Sequence, residues 1–333
     1  MANPGIGGRT SRRIGRILIR AVMTLLMVAT LNFILFRVIP GDPASLLLEG
    51  ARISVTAEQI EAQRQIWGLD RPLFPDQMVD YLSATLQGDL GYSFKFRGRH
   101  VADLILERLP ATIVVVGLAQ LIAILCGVLL GLYAGWRRGG SVDHIVTGAS
   151  LALYSTPSFW LGMILVVIFS TSLGWLPGYG AYSPGATLGS IDSLLDHLRH
   201  LALPVTAVAL GLIGQYVVVA RAAMSDVVTE DYMVTARAKG LTNGQMLMHH
   251  AFRNAMLPVV TLITLNLGYV VAGAITVEAV FAWPGIGGLT VEALNARDYP
   301  VLQGVFLLLG ASIVIANLVA DLAYGLLDPR VRQ

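Results

Sequence analysis

The sequence predicts an all-α integral membrane protein with six transmembrane helices, and three observations lead there. The chain of 333 residues is 55% hydrophobic and only 13% charged, with a mean hydropathy of +0.68, whereas soluble domains carry about 25% charged residues. Six windows, at about 17–39, 110–135, 145–172, 203–220, 258–277 and 301–320, are apolar over the roughly 20 residues that a helix needs to cross a hydrocarbon core. The last five contain no Asp, Glu, Lys or Arg. Basic residues, thirdly, are unevenly placed. With the N-terminus in the cytoplasm, the inside segments 1–20, 136–144, 221–257 and 328–333 hold thirteen Arg or Lys, and the short outside loops 173–202 and 282–300 hold two. That bias orients the chain with both termini cytoplasmic.

Taken in order, the basic opening "GGRTSRRIGRILIR" has the charge of a signal-peptide n-region. No small-residue cleavage site follows and the apolar run is too long for an h-region, so it reads as a retained first span. Residues 1–40 are therefore expected to be a cytoplasmic N-terminus and first span. Residues 41–109, with ten acidic against seven basic side chains, read as a small helical extracytoplasmic cap. In it Thr56 and Gln59 have the spacing of a capping box, ahead of a helix that Gly68 stops. Pro75 opens a second helix with Met78, Tyr81, Leu82 and Leu86 on one face and Gly88 at its end.

Residues 110–333 supply five more helices, the expected core. Gly127, Gly131 and Gly135 recur every four residues, so one side of the second span lets another helix approach closely. Pro157 and Pro204 are expected to bend or open their helices, with neighbouring Ser and Thr hydroxyls satisfying the freed carbonyls. Cys126, the single cysteine, excludes an intrachain disulfide and is expected to be a small buried apolar residue. Gln215, Asn266 and Asn317 lie at membrane depth and Glu278 and Asp321 near span ends. These five are candidates for a translocation pathway, the two acids having a structural role as the alternative.

Several enzyme signatures are missing. The only lysines are Lys95 and Lys239, and neither follows the spaced glycines of a P-loop, so no ATPase site is expected in this chain. "PGIGG" at 284–288 reads as an outer-loop turn. His197 and His200 beside Asp196 lack a third anchored ligand and read as part of an interfacial helix rather than a metal site. No spacing suggests a Ser/His/Asp set or paired carboxylates.

The segment "TARAKGLTNGQMLMHHAFRNAMLP" at 235–258 interrupts two apolar runs with basic and polar residues. "EDYMVTARAKG" forms a helix until Gly240, and Thr242 caps a second one. Two short helices meeting at a glycine make an elbow, and whatever grips an elbow at span ends moves the spans. A solvated basic loop, kept positive for topology, fits the same residues.

A resemblance bears on that choice. "TARAKGL" at 235–241, "RNAMLPVVT" at 253–261, "VEAVFAWPGIGGL" at 277–289, "RDYPVLQG" at 297–304 and "YGLLDPRVR" at 324–332 together resemble the dipeptide, oligopeptide and nickel permeases of bacterial ABC importers. "VIPGDPA" at 38–44, "GLDRPLFPDQ" at 68–77, "GDLGYS" at 88–93 and "ERLPATI" at 107–113 extend the likeness over nearly the whole chain. Against the simplest form of the importers' coupling loop, Val234 and Thr235 replace a glutamate and an alanine, while Ala236 and Gly240 retain the pattern. Arg253 stands roughly where many members have a proline.

The resemblance implies a type I, MetI-like importer core, a bacterial inner-membrane location and, most readily, di- or oligopeptides as cargo, with nickel chelates, glutathione-like peptides or other small solutes as the alternative. An ion-coupled secondary transporter, which would carry coupling carboxylates near the midplane, fits the five uncharged windows less well. Within the loop 221–257 the resemblance implies ATPase coupling through Thr235, Ala236, Arg237, Ala238, Lys239, Gly240, Leu241, His250, Arg253 and Asn254. It further implies a second homologous permease subunit, two cytoplasmic ATPase subunits that bind ATP and Mg, an extracytoplasmic substrate-binding protein, a lipid bilayer around the spans, and no nucleic acid. This chain would carry no cofactor, metal or catalytic residue.

Overall fold

The computed structural model describes residues 6–38, 71–96, 98–187, 189–267, 270 and 275–327. Thr56, Gln59, Gly68 and most of "VIPGDPA" lie outside the described residues, as does the end of "YGLLDPRVR". Among the described residues the regular structure is helical, joined by turns and irregular segments, with one isolated bridge between Tyr92 and His100. Four helices among the described residues are long and apolar enough to cross a membrane, and a bent pair makes a fifth candidate. The chain divides into two compact units, residues 1–109 with 289–333, and residues 110–288.

The first unit holds α1 (Ile6–Val38), α2 (Met78–Leu86) and α12 (Tyr299–Leu327). Gly310 lets α12 approach α1 so closely that an added Cβ would lie 2.5 Å from Val28 Cγ1. Near the same seam Phe36 meets Phe306 at 5.8 Å between ring centres. Asn32 Nδ2 donates to the Gln303 carbonyl at 2.9 Å and to the Tyr81 hydroxyl at 3.2 Å. A wide π-type turn, Leu73–Gln77, leads into α2, and Gly88 follows its end with φ +78. Met78, Tyr81 and Leu82 are half-buried as the sequence spacing requires, with Tyr81 packed on Phe33 of α1 at 5.4 Å. Leu86 departs from that face and is 81% exposed, because at the last turn of a nine-residue helix the chain already veers off.

The second unit contains most of α3 (Val101–Trp136), then α4 (Ser141–Ser155), α5 (Ser158–Leu165, continued by a π-type stretch Val166–Ser172) and α6 (Ile191–Val228). The glycine repeat does what its spacing predicts. Gly127, Gly131 and Gly135 lie against Ile213, Val217 and Arg221 of α6, the last two within 2.5 Å of a carbonyl oxygen if a Cβ were added. Pro157 breaks its apolar window, and α4 and α5 meet at 99°. The Thr156 amide and hydroxyl and the Ser155 hydroxyl donate to the carbonyls of Leu153, Ala152 and Leu151, so the freed acceptors at the break are satisfied.

Other expectations fail for physical reasons. Pro204 does not open its helix but sits inside an unbroken 38-residue α6, where buried Leu201, Leu203, Val205, Ala207 and Val208 hold the helix on its neighbours against the loss of one hydrogen bond. Cys126 is exposed rather than buried, since Gly127 beside it is the residue turned to α6. "PGIGG" is not a simple turn. It opens α11 (Ile286–Ala296) just after α10 (Ile275–Val280), and Trp283, Ile286 and Glu278 around it are buried.

Candidate functional site

The polar interruption folds as an elbow. Two residues after α6 ends, α7 (Asp231–Ala238) begins. Its end is closed by Gly240 at φ +76, with the Gly240 amide donating to the Arg237 carbonyl at 3.0 Å and the Leu241 amide to that of Ala236 at 3.3 Å. That pair of bonds is a Schellman closure, and the left-handed residue it needs favours glycine. The chain restarts at Thr242. Its hydroxyl accepts from the Gln245 amide while the Gln245 side chain accepts from the Thr242 amide, a full capping box.

From there α8 (Asn243–Gln245), a π-type stretch Met246–Ala251 and α9 (Phe252–Leu267) follow without a gap. The second arm of the elbow is thus the beginning of the next apolar helix rather than a separate short helix. Met233 and Ala236 of α7 are buried with Met224 of α6 and with Met246, Ala251 and Ala255 of the second arm. Asn254 Nδ2 donates to the Tyr232 hydroxyl at 2.8 Å, tying the arms. Burial of this methionine and alanine cluster contributes on the order of 1–3 kcal/mol per methionine, enough to hold two arms as one body.

The ten coupling candidates separate by exposure. Thr235, Arg237, Ala238, Lys239, Gly240, Arg253 and Asn254 are exposed, Leu241 and His250 are half-buried, and Ala236 is buried. Ala236 therefore fastens the elbow, and Arg237, Ala238 and Lys239 form its crest. Sequence reasoning missed Val234 and Met248, large apolar side chains 65% and 62% exposed, one on each arm of the elbow. Their neighbours Met233 and Met246 are buried, and that contrast between adjacent apolar positions becomes visible only once the helix phases are known.

The five pathway candidates are divided between the two units. In the second unit Asn266 Nδ2 donates to the Tyr216 hydroxyl at 3.0 Å, and Gln120 Nε2 also donates to it. This joins α3, α6 and α9 through a buried phenol, and neither Gln120 nor Tyr216 was singled out from sequence. Gln215 is the half-buried neighbour. Glu278 is fully buried and accepts from the Gly287 amide at 2.7 Å, while Thr112 Oγ1 accepts from the Ile286 amide at 2.8 Å. The acid thus caps the start of α11. In the first unit Asn317 is exposed and Asp321 half-buried.

His197 stacks on Tyr182 at 4.6 Å between ring centres and its Nδ1 pairs with the Ala181 carbonyl at 2.9 Å. His200 is buried with its Nδ1 2.9 Å from the Asp196 carbonyl. Among the described residues no group of three or more His, Cys, Asp or Glu is placed to hold a metal ion.

The family described as the binding-protein-dependent transport system inner membrane component matches residues 127–333. The chain belongs to this permease family. Residues 11–116 of the permease match the companion family for the N-terminal part of such membrane components. The permease is 40% identical to the di/tripeptide transport system permease protein DppB of Pseudomonas aeruginosa, covering 97% of this chain and 98% of the relative. It is 37% identical to the dipeptide transport system permease protein DppB of Escherichia coli, with the same coverage. A putative peptide permease protein of Brucella suis is 38% identical over 92% of this chain and 95% of its own. The permease is thus a multi-pass inner-membrane subunit of an ABC importer, a system that works with an ATPase and a binding protein.

Proposed function

We propose that this permease forms half of the translocation pathway of an ATP-driven importer of di- or oligopeptides and receives the force of ATP binding at the 235–258 elbow. The observation that carries the reading is continuity. An exposed crest, Arg237 to Lys239, stands on a packed base that passes without a gap into an apolar helix. A push on the crest therefore moves α9, and through the shared core the end of α6, as one body. Peptides are the cargo class because the relatives named above are called peptide permeases.

In this reading the N- and C-termini and the elbow face the cytoplasm. The 41–109 cap faces the binding protein, and a second homologous permease completes the pathway. Two ATPase subunits bind ATP and Mg, and this chain itself has no nucleotide site. Gln215, Asn266, Glu278, Asn317 and Asp321 remain the polar groups of the spans from which the pathway would draw. The test is Gly240→Pro, or deletion of 236–244, in the assembled complex reconstituted in vesicles. Uptake of a labelled dipeptide is expected to vanish or to separate from ATP hydrolysis while the complex still inserts. Full binding-protein-dependent uptake by either variant overturns the reading.

A further inference from the structure

An ion pair far from the elbow in sequence bears on how motion spreads. Asp143, in the first turn of α4, is 2% exposed. Arg221, seven residues before the end of α6, approaches it with both prongs of its guanidinium, Nε to Oδ1 at 2.5 Å and Nη2 to Oδ2 at 2.8 Å. Asp143 also accepts from the Gly139 amide at 2.9 Å and from the Thr147 hydroxyl at 3.3 Å. Beside it Arg138 Nη1 donates to the Ser225 carbonyl at 3.3 Å, and Gly135 lies against Arg221. The ends of α3, α4 and α6 are bound together within one turn of the place where α6 hands over to the elbow core through Met224.

The pair has a counterpart. Seven residues farther along α4, the Ser150 carbonyl and Tyr154 close on Gly214, which is itself seven residues from Arg221. Two antiparallel helices are thus joined at two points about 10 Å apart on each. One point leaves a helix free to swivel, and two remove that freedom. Stability alone does not call for an ion pair at the second point, because apolar packing of similar volume serves as well or better. A two-pronged charge pair instead fixes the register of one helix on another.

We infer that Asp143 and Arg221 are positioning residues that make α4 turn with α6, so that displacement of the elbow reaches the 99° bend at Pro157. The inference rests on the lever reading above. The experiment uses the full complex in vesicles and measures ATP hydrolysis with and without saturating binding protein, together with uptake of labelled dialanine per ATP. In complexes recovered at the wild-type level, Asp143→Asn is expected to lower the ratio of stimulated to unstimulated hydrolysis at least about fivefold, with uptake per ATP falling in parallel.

Arg221→Lys, which keeps the charge but not the fork, is expected to lower both in the same direction by less. It decides the matter alone if Asp143→Asn does not assemble. Wild-type ratios in the assembled variants overturn the inference. Gly240→Pro in parallel separates the two readings. If it keeps full coupling, the lever fails and the clamp with it. If it uncouples while Asp143→Asn and Arg221→Lys do not, only the clamp fails.

Discussion

Replacing Gly131 by alanine tests one of the close helix contacts in the second unit. An added Cβ would lie 2.5 Å from the Val217 carbonyl oxygen and 2.8 Å from Ala220 Cβ, where ordinary contact begins near 3.4 Å. The obstructing atom is backbone and cannot rotate away, so α3 and α6 must part locally by about 0.9 Å, and a close-packed interior transmits that strain. Overpacking of this kind costs about 1–3 kcal/mol, while alanine returns about 1 kcal/mol of helix propensity. Gly117 of the same helix supplies the control, for nothing lies within 4 Å of its added Cβ. Both variants gain the same propensity, so the difference between Gly131→Ala and Gly117→Ala isolates the contact at about 1–3 kcal/mol. Equilibrium unfolding of the purified permease in mixed micelles measures it. Adding Gly135→Ala should cost less than a second full increment, because one parting of the helices relieves both sites. Equal stability of Gly131→Ala and Gly117→Ala would refute the close approach.

Two further perturbations probe the polar ties. Tyr216→Phe keeps the ring but removes the acceptor shared by Gln120 and Asn266, and should cost about 1–3 kcal/mol in the same unfolding assay. Adding Gln120→Leu to that variant should then cost little, and a full second loss would show that the phenol does not join them. Asp298 is buried and holds the 93–95 stretch, accepting from the Ser93 hydroxyl at 2.5 Å and from the Phe94 and Lys95 amides at 3.1 and 2.9 Å. Asp298→Asn should release that stretch and speed trypsin cleavage after Lys95 in solubilised protein, and an unchanged cleavage rate would show that the stretch is held by other contacts.

Local chemistry was legible in the sequence wherever one residue type decides the outcome within a turn or two. Gly240 and Thr242 fold as their positions dictate, since a left-handed closure and a helix cap involve only neighbours, and Gln245 completes the cap as a box. The break at Pro157 was legible for the same reason, and the glycine repeat of α3 because one residue type at a fixed spacing marks a face of close approach whichever helix packs on it. What was not legible depends on partners distant in the chain. Pro204 and Pro157 carry the same backbone defect, yet only packing along α6 keeps the first from breaking its helix. Tyr216 reads as one more apolar residue until Gln120 and Asn266, 96 and 50 residues away, converge on its hydroxyl. Asp143 and Arg221, 78 residues apart, look like ordinary charges of the inside loops. "PGIGG" looked like a turn because the carboxylate that caps the helix it starts comes from Glu278, outside the motif.

The unbroken run from Asn243 to Leu267 also sets a scale for movement. At 1.5 Å per residue it measures roughly 37 Å, and Gly240 is the nearest left-handed glycine at its outer end. Tilting such a boom by about 10° swings its tip through about 6 Å, near the 5.4 Å of one helical turn. If the elbow is the lever proposed above, a modest rotation at the crest is converted, by length alone, into a stroke comparable to the size of a side chain deep among the apolar helices.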